Sequence, residues 1–222
     1  MKRQIPVLLL CLALLLSACG GALPAGTEAS VPPPREELPP APEGPAVPEE
    51  PPPPEPTTAT LAVCGDAMSH MPITNDAWNG ERYDYARIMA AARPYVEAAD
   101  CAVVNLETTL SGGPPYSGYP AFNSPDGMAA DLKALGFDLC LTANNHSLDR
   151  GFSGLSRTLD ALDAAGLRHV GTSRTQEEAD RNIAVMDVGG ISVAFLGYTY
   201  GTNGIPIPKK HPYDINVFNT DY

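Results

Sequence analysis

Three short apolar runs constrain this chain more than any other feature: TLAVCGD at 60–66, CAVVNLE at 101–107 and FDLCLTA at 137–143. Each has the length of a strand, each is followed by a segment with helical spacing, and each stops in polar side chains. DYARIMAAARPYVEAA (84–99) carries helical spacing with Pro94 as a kink or the start of a second segment, because proline has no N–H for a helix interior. SPDGMAADLKALG (124–136) predicts a helix capped by Ser124, with Pro125 in its first turn and Gly136 at its end. FSGLSRTLDALDAAG (152–166) is amphipathic and ends at Gly166, and RHVGT (168–172) is a fourth, short strand. Thr175 and Glu178 have capping-box spacing for a brief helix, and NIAVMDVGGISVAFLGYT (182–199) reads as a hairpin about Gly189-Gly190. This alternation predicts an α/β fold whose mainly parallel sheet is layered with helices; the hairpin adds an antiparallel pair and makes the sheet mixed. About 160 residues suffice for one core.

In open α/β sheets ligands collect beyond the carboxyl ends of the strands. Here the first strand ends in Asp66, the second in Asn105-Leu106-Glu107 and the third in Asn144-Asn145-His146. Carboxylate and amide oxygens with an imidazole suit Mn²⁺, Mg²⁺, Zn²⁺ or Fe. His70, four residues after Asp66, joins them if the chain turns back. Each residue also has an ordinary use: Asp66 in an Asx turn, Glu107 as a solvated carboxylate, Asn144 and Asn145 as turn formers. Their coincidence at three consecutive strand ends favours a site. His146 is the best candidate acid, because an imidazole titrates near neutral pH. Asp149 and Arg150 read as organising the turn into the next helix. His169 reads as structural, and His211, beside Pro212, has no supporting context.

The N-terminal quarter has a different character. Met1–Ala18 reads as a secretion signal, with Lys2 and Arg3 ahead of the apolar run IPVLLLCLALLL. Leu16-Ser17-Ala18-Cys19 resembles a bacterial lipobox, which makes Cys19 the expected site of lipidation and the mature N-terminus, anchoring the chain extracytoplasmically on the cell membrane; the alternative is an ordinary secreted protein with a small-residue cleavage site. Residues 19–59 are rich in proline and glutamate, with almost nothing to bury, and predict a disordered stalk. At ~3.1 Å per residue it reaches on the order of 100 Å. The formal net charge is −12, and the stalk's seven Glu against one Arg supply half of it. With no basic stripe to neutralise phosphates, nucleic-acid binding is disfavoured.

Of five cysteines, Cys11 leaves with the signal and Cys19 takes the lipid, so Cys64, Cys101 and Cys140 remain, each in an apolar run. An odd count without a C-x-x-C predicts small buried hydrophobes and neither a zinc knuckle nor a disulfide framework. No Gly-rich phosphate loop and no Gly-x-Ser-x-Gly elbow occurs, which argues against a nucleotide fold and a serine hydrolase.

VCGDAMSH, ADCAVVNLETTLSG, LTANNHSLDRGFSGLSRTLDALDAAGLRHVGTSR and GGISVAFLGYTYGTNG occur in this order between about Thr60 and Pro208. Together they resemble the CapA family of bacterial poly-γ-glutamate capsule synthesis proteins, a branch of the calcineurin-like metallophosphoesterases. The resemblance implies a four-layer α/β/β/α sandwich with a two-metal site at the strand ends. It implies that Asp66, Glu107 and Asn145 are metal ligands, with His70 a looser one, and that His146 is the acid or a phosphate-contacting residue; Asn105 and Asn144, beside them, are expected to touch substrate. It further implies that relatives continue to a His-Trp-Gly block and a Gly-His-His-Pro-His block, so that residues 60–222 are expected to be an incomplete domain, inactive alone.

Three functions fit these expectations. One is a lipid-anchored surface protein of poly-γ-glutamate capsule synthesis or export, working with a capsule synthesis complex or an anionic polymer. Another is a divalent-metal-dependent hydrolase of a cell-envelope phosphoester or γ-glutamyl amide. The last is a non-catalytic envelope scaffold.

Overall fold

The computed structural model describes residues 55–218. The expected secretion signal, Cys19 and nearly all of the expected stalk lie outside the described residues. Strands β1 (Leu61–Ala67), β2 (Cys101–Leu106), β3 (Leu139–Leu141) and β4 (Arg168–Val170) form one sheet in the order β1-β2-β3-β4, every neighbouring pair parallel. The connections carry α1 (Met71–Ala77), α2 (Tyr85–Ile88), α3 (Arg93–Glu97), α4 (Gly127–Leu135) and α5 (Gly151–Ala165). A short α6 (Gln176–Ala179) leads to β5 (Ala184–Val188) and β6 (Ile191–Phe195), which pair antiparallel.

Strand alternation divides the core in two. Ala102, Val104, Leu106 and Cys140 point to the helices and are buried with Leu132, Leu135, Leu155, Leu159 and Leu162. Cys101, Val103, Leu139 and Val170 point the other way and are buried with Ala184 and Val188 of the hairpin. The layers are therefore helix, parallel sheet, hairpin. The expected mixed sheet is corrected here: the hairpin does not extend the four-stranded sheet but lies over its second face as a separate two-stranded sheet. The reason is burial, since strands apolar on both faces need a cover on each.

Local chemistry explains most element ends. Gly136 and Gly166 end α4 and α5 with φ of 105° and 70°, the left-handed conformation that stops a helix. Thr175 accepts the Glu178 N–H and starts α6. Pro94 opens α3 after a 3₁₀ turn at Ala90–Ala92, dividing the 84–99 segment. The predicted Ser124 cap is displaced: α4 begins at Gly127, while Ser124 is buried and its hydroxyl bonds Thr108 at 2.8 Å. Cys64, Cys101 and Cys140 are all free, the last two buried, and burial pushes the Cys140 thiol up to about 12. Among the described residues no helix is long and apolar enough to cross a membrane.

Candidate functional site

The site is built at the carboxyl ends of β1, β2 and β3. β1 carries a register shift between Cys64 and Asp66, so Gly65 is the extra residue of a bulge and Asp66 lies opposite Asn105. The shift lets the Asn105 amide nitrogen donate to Asp66 Oδ1 at 2.8 Å and to Glu107 Oε2 at 3.1 Å. One amide thus links two carboxylates from adjacent strands. Burial pushes the Glu107 carboxyl above the ordinary range and the negative charge of Asp66 pushes it further, while His146 and the Asn105 amide oppose them.

The third strand end folds back on itself after Ala143. The Asn144 amide nitrogen donates to Asn105 Oδ1 at 3.2 Å and to the Leu106 carbonyl at 2.9 Å, and its oxygen accepts the His146 N–H at 3.0 Å. Asn144 is buried, and these bonds make it a clamp between strand ends rather than a free group for substrate. His146 is buried too. Its Nδ1 donates to Asp149 Oδ2 at 2.8 Å, which leaves Nε2 facing Glu107 Oε1 at 3.9 Å. Asp149 Oδ2 also accepts the Phe122 N–H at 2.6 Å, and the Phe122 ring meets the His146 ring edge-to-face at 4.7 Å.

Asp66, Glu107, Asn105, Asn144 and His146 are therefore brought together. Asn145 stands at the rim, its amide nitrogen donating to Asn203 Oδ1 at 3.1 Å. His70 is exposed at the start of α1 and meets the other side of Phe122 with ring centroids 5.0 Å apart. No polar contact joins His70 to either carboxylate among the described residues. Sequence reasoning gave Asp149 to the turn alone and not to His146, although its spacing of three from His146 carries a readable signal; it missed Asn203, which lies 57 residues from His146 and which nothing local announces. Arg150 organises the neighbouring loop, donating to the Ala121 carbonyl at 2.9 Å and to the Ser117 hydroxyl.

An open cleft of about 500 Å³, lined by Cys64, Asp66, Met89, Val104 and Phe137, borders Asp66 on the helix side. The donor set fits a divalent cation: the carboxylates of Asp66 and Glu107 share one amide nitrogen, which supplies the positive end between them. Among the described residues no three His, Cys, Asp or Glu side chains are grouped so as to hold a metal ion, and the amide oxygens of the asparagines at the strand ends are the further protein donors nearby.

With this geometry in hand, the relatives fall into place. The model of the bacterial capsule synthesis protein family PGA_cap matches residues 60–219. The chain belongs to that family. Its domain is metallophosphoesterase-like, which agrees with the α/β fold, and such a family suggests metal use. PGA_cap relatives include an uncharacterized protein of Sinorhizobium fredii, 34% identical over 132 residues that cover 55% of this chain and 27% of that one. A "probable polyglutamine synthesis accessory protein" of Mycobacterium tuberculosis is 37% identical over 113 residues, 49% of this chain and 29% of its own length. The "PGA biosynthesis protein CapA" of Bacillus subtilis is 34% identical over 68 residues, 31% and 18% of the two chains. The matched stretch thus spans less than a third of the length of these relatives.

Proposed function

We propose that this chain is the metal-binding part of a CapA-type cell-envelope protein that takes part in poly-γ-glutamate capsule biosynthesis or export. The observation that carries the reading is the Asp66–Asn105–Glu107 linkage facing His146 Nε2, in a chain of the PGA_cap family. Asp66 and Glu107 hold a divalent cation, Asn145 adds an amide oxygen, and Asn105 and Asn144 fix the spacing of the strand ends. His70, across Phe122, marks the outer edge of the pocket. Capsule, PGA and polyglutamine synthesis are named for the relatives, and the lipobox form of the sequence supports the envelope location and lipid on Cys19. A cation also reconciles an acidic protein of net charge −12 with an acidic polymer.

The His146–Asp149 pair favours a second reading, in which the same centre is a hydrolase of an envelope phosphoester or γ-glutamyl amide. A bound divalent ion supplies Lewis acidity toward a phosphoryl or carbonyl oxygen. Asp149 holds the imidazole with Nε2 toward the carboxylates, where His146 delivers a proton to the leaving group.

Deleting the gene and restoring it as wild type or as Glu107→Gln tests the first reading. Loss of surface polymer, restored by wild type alone, supports it, and unchanged polymer in the deletion strain refutes it. For the second, incubating the Mn²⁺-loaded protein with poly-γ-glutamate and a generic phosphodiester gives turnover that His146→Ala removes. A wild-type protein that binds metal and turns over neither substrate contradicts the hydrolase reading.

A further inference from the structure

Asn203 is, among the described residues, the non-glycine residue with positive φ, at 52°, and Gly204 follows at 78°. With Ile205 N–H bonding the Thr202 carbonyl at 2.9 Å, residues 202–205 form a tight turn with an Asn-Gly centre. Asparagine is common in such turns for its backbone alone. What sets this one apart is where its side chain goes. Its Oδ1 accepts from Asn145 Nδ2 at 3.1 Å, and its Nδ2 lies 3.4 Å from His146 Nδ1. Since His146 Nδ1 gives its proton to Asp149, the second contact is packing and the first is the hydrogen bond.

The loop bearing Asn203 is held by backbone bonds from the chain's last described segment. Thr199 N–H bonds the Asn216 carbonyl at 3.0 Å, Phe218 N–H bonds the Thr199 carbonyl at 2.9 Å, and Asn216 N–H bonds the Gly171 carbonyl at 2.9 Å. Ile215 pairs with Thr172 just past β4. The turn is therefore tied to the sheet that carries the site, and Asn203 reaches Asn145 from a fixed support.

We propose that Asn203 is a positioning residue for the strand-end centre: by accepting the Asn145 amide N–H it fixes that amide's rotation and presents the Asn145 oxygen to a divalent cation shared with Asp66 and Glu107. This rests on the metal reading above. An amide ligand binds a cation only through oxygen, so an unrestrained Asn145 loses part of its affinity to rotation and to the wrong face. Removing such an outer hydrogen bond typically weakens metal binding by about 10- to 100-fold.

Titrating the full 222-residue chain with Mn²⁺ alone by calorimetry separates the turn role from the positioning role. Asn203→Gly keeps a backbone that accepts φ of 52° and deletes the side chain; Asn203→Asp keeps both the turn and the acceptor oxygen. The expected result is Mn²⁺ binding at least about tenfold weaker in Asn203→Gly, with an unchanged melting temperature, and binding retained in Asn203→Asp. Asn203→Gly binding within twofold of wild type overturns the inference and leaves the metal reading standing, as does equal loss in both variants. A wild-type chain that binds no Mn²⁺ removes the metal reading itself and this inference with it.

Discussion

Asp149 does two jobs with one oxygen: Oδ2 receives both the His146 ring proton and the Phe122 backbone N–H, and the residue is buried. Asp149→Ala leaves two buried donors without an acceptor and is expected to cost about 2–5 kcal/mol, read by urea denaturation. A cost below about 1 kcal/mol contradicts this account of the turn. Asp214 presents the opposite case. It is fully buried, neither carboxylate oxygen has a hydrogen-bond partner among the described residues, and burial pushes its carboxyl up to about 6. Its charged neighbour is His211, with Nδ1 at 4.0 Å, which opposes the shift. A folded-state value above the ordinary aspartate value means that the folded state binds the extra proton. The group's contribution is therefore present at about pH 4 and lost as pH rises through 6. Melting wild type and Asp214→Asn side by side from pH 4.5 to 7.5 is expected to show wild type losing several degrees relative to the variant on going up. Parallel curves contradict it. Residues such as Asp66, Glu107 and His146 were legible in the sequence because each ends an apolar run. Asp214 and Asn203 were not, because their meaning depends on a segment that returns to the sheet after a long detour.

At the scale of elements, glycines decide how the strand ends meet. Gly65 adds the bulge that sets Asp66 opposite Asn105, a shift that a strand pattern read by period alone does not reveal. Gly171, at φ of 117°, ends β4 where a Cβ would lie 2.7 Å from both the Cβ and the nitrogen of Ala143. Ala143 immediately precedes Asn144, so Gly171→Ala is expected to destabilise the protein by about 2–4 kcal/mol and to speed amide exchange over residues 142–146. Exchange unchanged in that turn contradicts the packing argument. The capping glycines Gly136 and Gly166, the Thr175 cap and the Gly189-Gly190 turn were readable because each acts through its immediate neighbours. The start of α4 was not: Ser124 has the right chemistry for a cap, but the buried Thr108 hydroxyl takes it. α1 was likewise unannounced, since seven residues beginning Met71-Pro72 carry no clear apolar period.

Across the whole molecule, the α/β alternation was legible because it is written in periodicity, whereas the placing of the hairpin over the sheet depends on which face is left uncovered. That cover is partial. Val103 and Cys101 are buried beneath the hairpin layer, while Leu61 and Val63, in register with them on the edge strand β1, are 42% and 71% exposed. An apolar edge of this kind promotes strand pairing between copies. Val63→Lys is expected to reduce self-association in size-exclusion chromatography at matched concentration, with a melting temperature within a few degrees of wild type; unchanged self-association places the sticky surface elsewhere.

The layers matter to function because they bring three strand ends, 80 residues apart from first to last in the sequence, to one acidic point between Asp66 and His146. The most direct measurement is a Mn²⁺ titration of wild type, Asp66→Asn and Glu107→Gln, repeated as pH falls. Saturable binding in wild type that weakens toward acid, as Glu107 takes up its proton, and at least about tenfold weaker binding in each variant is the predicted result. No binding in wild type, or binding that both variants keep, contradicts the assignment of a metal centre to these strand ends.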